Sequence, residues 1–310
     1  MAEKPRILVL YYTQSGQLKD ILDSVLQNIQ NDVEIDFAEI KAQTAFPFPW
    51  SAHAFFDAMP ETVQHLPAPI RPLPQEIYSK HYDLVILGYQ PWFLNPSQPV
   101  TAFLQSEHAR VLDGKKVVTV IGCRNMWLHA QEKVKEYLLK RNAKLVGNIS
   151  LFDTNPNIIS TLTVIRWAFS GQKEASRWLP AAGVQEKDVK EASRFGKIIL
   201  NALQQKSFDS FHGKLLEANA ISLNPGLVLL EQRGIKNFHT WSKFIREKGG
   251  PGDLSRKGRV TLFKRLLIVA IFILSPISSL SAFIKLQLHK KRLSKDVVYF
   301  KGVGYESGRI

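Results

Sequence analysis

Five short apolar runs punctuate the first half of the chain. Ile7–Tyr11 is continuously apolar, as a central parallel strand buried on both faces would be. Val33–Phe37, Asp83–Gly88, Lys116–Gly122 and Lys144–Phe152 read as four further strands. After the first run, Leu18, Ile21, Leu22, Val25, Leu26 and Ile29 recur at helical spacing, and helical patterns return at Ser97–Glu107, His129–Arg141 and Glu186–Gln205. Strands alternating with helices predict right-handed crossovers and an α/β fold built on a doubly wound, parallel, five-stranded sheet. The expected order is 2-1-3-4-5, with ligands at the carboxyl ends of strands 1, 3 and 4. This body spans residues 1–205.

One connection breaks the rhythm. About 45 residues separate the second and third strands, far more than an αβ loop needs. They include FPFPWSAHAFFDAMPE (46–61) and LPAPIRPLP (66–74), with seven prolines and five Phe or Trp residues in all. The stretch 41–80 is read as a stiff aromatic flap, either packed on the sheet edge or roofing a hydrophobic substrate.

Charge separates the two ends of the chain. Residues 1–232 carry 24 Lys and Arg against 23 Asp and Glu, whereas 233–310 carry 17 against 4. A near-neutral body with a basic tail needs an acidic partner for the tail. Residues 206–263 are expected to be a linker and an amphipathic basic helix, with Phe238, Trp241, Phe244 and Ile245 as its apolar stripe. Within 264–310, Leu266–Ile284 is uncharged for 19 residues, about 28 Å as a helix, with Lys264, Arg265 and Lys285 at its borders. The expectation is a membrane-associating C-terminal helical extension on an anionic bilayer, either a full span or a hairpin dipping into one leaflet. A docked helix or a homo-oligomer contact is the alternative. Nucleic acid is not expected, because the basic residues bracket a lipid-like run.

The lone Cys123 excludes a disulfide framework and makes a cysteine-held metal cluster within the chain a poor reading. No metal is expected. Neither a nucleophile elbow nor a His-Glu-x-x-His motif is present, and the eight histidines are scattered without ligand spacing. The strongest local signal is YYTQSGQLKDIL, a strand that turns through Thr13-Gln14-Ser15-Gly16-Gln17 into a helix. Backbone N–H groups at a helix N-terminus beside two hydroxyls suit a phosphate dianion. The alternative is a polar turn with Ser15 as an N-cap. Walker and dinucleotide fingerprints are absent. His53 in the flap and His129 after the fourth strand are the candidate acid/base residues.

The turn resembles the phosphate loop of flavodoxins and FMN-dependent quinone reductases. Two more segments, GYQPWFLNPSQPVTAFLQ (88–105) and GCRNMWLHAQEKVKEYLLK (122–140), are similar to the loops that flank the flavin in those proteins, with Gln131-Glu132 matching a recurrent pair. Leu18 departs from their usual small hydroxyl residue, and the third loop carries His129-Ala130 where they have a Gly-Gly pair. The resemblance implies a flavodoxin-like domain that binds FMN. Thr13, Ser15, Gly16, Gln17 and Leu18 would hold the phosphate. Pro91, Trp92, Phe93 and Asn95 would edge the ring, and Cys123, Arg124, Asn125 and Trp127 would line its polar side, with a place in the core the alternative for Trp92 and Trp127. Arg124 would supply the cation that stabilises the reduced flavin.

Taken with FPFPW, FFDAMPE and the IRWAFSGQKEASRWLPAAG stretch (165–183), these segments resemble a narrower group, the dialkylresorcinol condensing enzymes that accompany a ketosynthase in bacterial resorcinol-lipid and flexirubin-type pigment biosynthesis. That resemblance implies oxidation of a 2,5-dialkylcyclohexane-1,3-dione to a 2,5-dialkylresorcinol at the cytoplasmic face of the inner membrane, with Arg124, His129 and His53 the candidate catalytic residues. The rivals are a membrane-associated NAD(P)H:quinone reductase and an electron-transfer or binding protein on the same FMN site.

Overall fold

The computed structural model describes residues 4–274 and 290–310. Five strands form one parallel sheet: β1 (Arg6–Tyr11), β2 (Glu34–Glu39), β3 (Leu84–Tyr89), β4 (Lys116–Cys123) and β5 (Lys144–Phe152). They lie in the order β2-β1-β3-β4-β5, the expected flavodoxin-like arrangement. Val9 sits beside Phe37 on one side and Ile86 on the other, so every residue of β1 is flanked by a neighbouring strand. Ile7 to Leu10 and Leu84 to Leu87 are wholly buried, which is why these runs are apolar without alternation.

Helices cover both faces. They are α1 (Gln17–Leu26), α2 (Ala52–Asp57), α3 (Met59–Val63), α4 (Glu76–Ser79), α5 (Gln98–Gln105), α6 (Leu128–Lys140), α7 (Asn157–Ser170), α8 (Glu186–Glu191) and α9 (Arg194–Gln204). The helix expected over 186–205 is therefore two, broken at Ala192–Ser193, and both pieces pack on α1. At Gly196 an added Cβ would lie 2.5 Å from the Val25 carbonyl, so glycine lets α9 approach α1 closely.

The chain beyond residue 205 packs on this body. It forms α10 (Phe211–Glu217), α11 (Pro225–Arg246), α12 (Lys257–Val269) and α13 (Lys290–Lys301). Phe211 and Leu215 of α10 and Leu293 and Phe300 of α13 belong to the main core, so no free linker starts at 206. α11 lies along α3, and α12 packs on α2. The stripe expected to face a lipid surface turns inward. Ile245 is fully buried, and the Phe238 and Trp241 rings lie 6.0 and 5.6 Å from that of Phe263, while Phe244 stays partly exposed. The physical reason is the flap, whose Phe56, Met59 and Val63 supply a second apolar cluster for α11 and α12 to cover.

The uncharged run 266–284 lies partly outside the described residues, which end at 274 and resume at 290. Among the described residues no helix is long and apolar enough to cross a membrane.

A cleft at the carboxyl end of the sheet

Three loops leave the carboxyl ends of β1, β3 and β4 and converge on a cleft of about 220 Å³. Gln14, Ser15, Gln17 and Leu18 line it from the first loop, Gln90 to Phe93 from the second, and Gly122 to Arg124 from the third. Phe48, Trp50 and Phe55 of the flap, Val164, Trp167 and Ala168 of α7, and Gly183 complete the wall.

The first loop is a helix start. Gly16 caps α1 at φ +89°, a left-handed conformation that glycine adopts freely, and the Thr13 hydroxyl accepts from its N–H at 3.1 Å. The Gln17 and Leu18 N–H groups occupy the first helical turn, where no intrahelical acceptor exists. With the Ser15 hydroxyl at the cleft wall, they are donors of the kind a helix N-terminus offers an anion. The Gln17 side chain is committed elsewhere. Its amide donates to the Val184 carbonyl at 2.9 Å and accepts from the Val184 N–H at 3.0 Å. This clamp ties the loop to Gly183, where φ is +79° and an added Cβ would come within 2.5 Å of Gln17 Oε1. The Leu18 side chain is 2 % exposed and packs in the core.

The second loop is a hairpin pairing Pro91–Trp92 with Asn95–Pro96. Its two tip residues, Phe93 and Leu94, both have positive φ, +47° and +67°, a geometry usually filled by Asn-Gly. Asn95 supports the tip, donating to the Phe93 carbonyl at 2.8 Å and meeting His65 Nε2 at 2.9 Å, but it does not line the cleft. Trp92 stands edge-on to Tyr12, Phe46 and Trp50, with centroids 5.8, 5.0 and 5.4 Å away. Gln90, oriented so that its oxygen meets donors, accepts from the Gln14 N–H and from Trp92 Nε1, both at 3.2 Å. Gln14 in turn donates to the Phe46 and Pro47 carbonyls at 3.1 and 2.9 Å, joining the first loop to the flap.

The third loop divides the expected residues. Cys123 and Arg124 reach the cleft. Burial, with the Glu231 carboxylate nearby, pushes the Cys123 thiol well above its ordinary pKa, so it stays protonated. Arg124 Nη1 donates to Asn157 Oδ1 at 2.8 Å and to the Thr161 hydroxyl at 2.9 Å, and burial pulls its pKa down. Asn125 donates to Asn157 Oδ1 at 3.1 Å and stays off the cleft wall. Trp127, expected at a ligand's polar edge, is instead 1 % exposed in the main core, at the N-cap of α6.

Neither histidine expected to work in acid/base chemistry lines the cleft. His53 is exposed on α2. His129 is buried, and that burial, with Lys133 and His65 nearby, lowers its pKa to about 3, so it is neutral at physiological pH. Gln131 and Glu132 also have structural work. Tyr89 donates to Gln131 at 2.6 Å and Gln131 to Thr119 at 3.0 Å, while Glu132 accepts from Lys135 at 2.8 Å and from Tyr299 at 2.6 Å.

Among the described residues, the cleft wall holds no carboxylate and no histidine, and Arg124 is its single charged group. The cleft is an apolar, tryptophan-lined space that opens beside the N-terminus of α1. Sequence reasoning missed Gln14 and Gln90, which look like ordinary turn residues. It also missed α7, because α7 is apolar on two faces and shows no single helical stripe. Val164, Trp167 and Ala168 face the cleft, while Ile158, Leu162 and Ile165 are exposed.

No family model and no curated protein matches the chain. Solved structures do match. A flavoprotein from Lactobacillus acidophilus, in complex with FMN, is 18% identical over 48% of this chain and 93% of its own, with a TM-score of 0.38. A flavodoxin from the domain Archaea is 12% identical over 64% of this chain and 99% of its own, at 0.35. RosB with a bound 8-demethyl-8-formylriboflavin-5'-phosphate intermediate is 11% identical over 71% and 91%, at 0.34. At these scores the fold assignment stands on the strand order alone.

Proposed function

We propose that the protein is an FMN-dependent oxidoreductase, and that it aromatises a 2,5-dialkylcyclohexane-1,3-dione to a 2,5-dialkylresorcinol. The carrying observation is the cleft itself, which joins a hydroxyl-bearing helix start to a tryptophan-lined wall at the carboxyl ends of β1, β3 and β4. The donor set fits FMN: Ser15 and the Gln17 and Leu18 N–H groups for the phosphate, Trp92 and Pro91 for the ring. Bound there, FMN supplies a two-electron acceptor, so that one ring hydrogen leaves the substrate with its electron pair while a second leaves as a proton.

The chain's own residues do the rest. A 1,3-dione is acidic enough to exist largely as its enolate in neutral water, so a wall without carboxylate or histidine is no obstacle. Arg124 is the cation available to that enolate. Trp50, Trp92 and Phe55 exclude water and orient the ring. The narrower substrate assignment is supported by the resemblance of the flap and loop segments. A partner ketosynthase would supply the dione.

The surface of α12 supports a place on an anionic bilayer. Leu262, Leu266 and Val269 recur along its exposed face with Arg265 among them. The site of action would then be the cytoplasmic face of the inner membrane.

Two measurements test the reading. Ser15→Asp with Gly16→Val should abolish flavin retention, by placing charge and bulk where the phosphate binds, and unchanged flavin content would refute the site. Anaerobic mixing with a dialkylcyclohexanedione should bleach the flavin. Bleaching by NADPH alone, with none by the dione, would favour a quinone reductase.

A further inference from the structure

A second cavity adjoins the cleft across a shared wall. It has a volume of about 420 Å³ and lies inside the flap, between the extended arms 43–47 and 66–69 and helices α2 and α3. Trp50 lines both spaces. Its backbone is pinned, the N–H donating to the Ala168 carbonyl at 2.7 Å, and its ring is packed edge-on to Trp92 and Phe55.

We infer that this groove is a binding site for a linear alkyl chain, one arm of the substrate whose ring occupies the cleft. The inference rests on the function proposed above and adds to it where an arm goes. Three observations carry it. The walls are apolar: Phe46, Ala54, Ala58, Leu66 and Ala68 face the space together with prolines.

Its carboxylates are already spent. Asp57 and Glu61 are the carboxylates of the lining, and both are matched by Arg256, through Asp57 Oδ1 at 2.7 Å and Glu61 Oε1 at 2.7 Å, with Arg246 also on Glu61 at 2.5 Å. The Gly252 N–H takes the other Asp57 oxygen at 2.9 Å. A charged or hydrogen-bonding ligand therefore finds no unmatched carboxylate to bind.

Part of the backbone is closed to a peptide strand as well. The two arms pair with each other through the Gln43 N–H and the Pro69 carbonyl at 2.8 Å, and Pro47, Pro67 and Pro69 have no N–H to offer. What remains is mainly apolar surface, with Trp50 forming a wall of both this groove and the cleft.

The test uses full-length protein and 5-alkylresorcinols with ethyl, hexyl and dodecyl arms, followed by titration calorimetry, with flavin absorbance recorded on the same samples. In the wild type, affinity should rise by up to about fourfold per added methylene until the groove is filled. Ala68→Trp blocks the groove without touching the cleft, so dodecyl should bind no more than a few-fold tighter than ethyl, with ethyl affinity and flavin content unchanged. Ala54→Phe repeats the test from the opposite wall if Ala68→Trp fails to fold. A dodecylresorcinol carrying a terminal diazirine should label residues 43–47 or 66–69. Affinity independent of chain length in the wild type, chain-length dependence undiminished in both folded variants, or labelling confined to other segments would each overturn the groove. Absence of flavin, or no bleaching by a dione, would instead strike the proposed function, and the chain-length series reads the groove separately from it.

Discussion

The parallel sheet and the layer formed by the flap with α11 and α12 are held by different forces. The sheet is a stack of Ile, Leu and Val side chains pinned by backbone ladders, and its hydrophobic contacts need only the right period and volume. The second layer has six buried apolar residues at its centre, three of them from the flap and three from the tail, with aromatic rings around them. Across it runs a buried ionic knot in which Arg256, 0 % exposed, reaches partners 195 and 199 residues earlier in the chain. The first region can form from local pattern. The second exists only when the two distant segments meet, so it should fail as a unit and leave the sheet standing.

The largest expected effect comes from cutting that knot. Arg256→Ala leaves Asp57 buried without its cation and Glu61 with Arg246 alone, which should cost about 3–5 kcal/mol in denaturant unfolding. Limited proteolysis should then open the flap at 41–80 before the sheet. A loss below about 1 kcal/mol, or simultaneous cleavage of flap and sheet, would erase the distinction between the regions.

Glu231 tests the junction from the other side. This α11 carboxylate is fully buried and accepts from the Leu128 and His129 N–H groups at 3.1 and 3.0 Å, so the tail caps the N-terminus of the helix behind the third cleft loop. Burial raises its pKa from 4.5 to about 7, against the lowering effect of those N–H groups. Between these values the folded chain holds a proton that the unfolded chain has lost. Its stabilising contribution is thus complete below pH 4.5 and disappears as pH rises through about 7. Relative to Glu231→Gln, the wild type should lose about 3 kcal/mol over that window. His129 acts in the opposite sense at lower pH, since a group held at about 3 makes the fold more stable as pH climbs from there to 6.5. Comparing wild type with Glu231→Gln cancels that background. A difference that does not change with pH would show that Glu231 keeps its charge throughout.

A surface change should spare both interiors. Leu262→Asp with Leu266→Asp alters the exposed face of α12, 44 % and 45 % accessible at these positions, and should reduce partition onto vesicles of anionic lipid by about tenfold or more, with melting temperature and flavin content unchanged. Equal binding to anionic and neutral vesicles in the wild type would remove the electrostatic part of the argument, and no vesicle binding at all would remove the membrane. The smallest effect belongs to Ser51, whose hydroxyl caps α2 by accepting from the Ala54 N–H at 3.1 Å. Ser51→Ala should cost about 1 kcal/mol and be felt in the flap alone, as faster hydrogen exchange over α2 with β1 and β3 unaffected.

What was readable in advance follows the same division. The five strands, their order, α1, α5 and α6 and the turn between β1 and α1 are encoded within windows of ten or so residues, because burial on a pleated or helical surface imposes a short period on the sequence. The clustering of Ser15, Gln17, Leu18, Pro91, Trp92, Phe93, Cys123 and Arg124 on one cleft follows from that topology, since a doubly wound sheet brings the carboxyl ends of β1, β3 and β4 together. Whether a given side chain faces ligand, core or solvent was decided by contacts no local window contains. Trp127 went to the core, His53 to solvent, and Gln17 to Val184, 167 residues away. The apolar stripe of α11, legible as an amphipathic face, carried no sign of what would cover it. The flap covered it, because burying Phe238, Trp241 and Ile245 against Phe56, Met59 and Phe263 removes both sets of apolar surface from water at once. Periodicity records that a face must be buried, and only the tertiary structure determines against what.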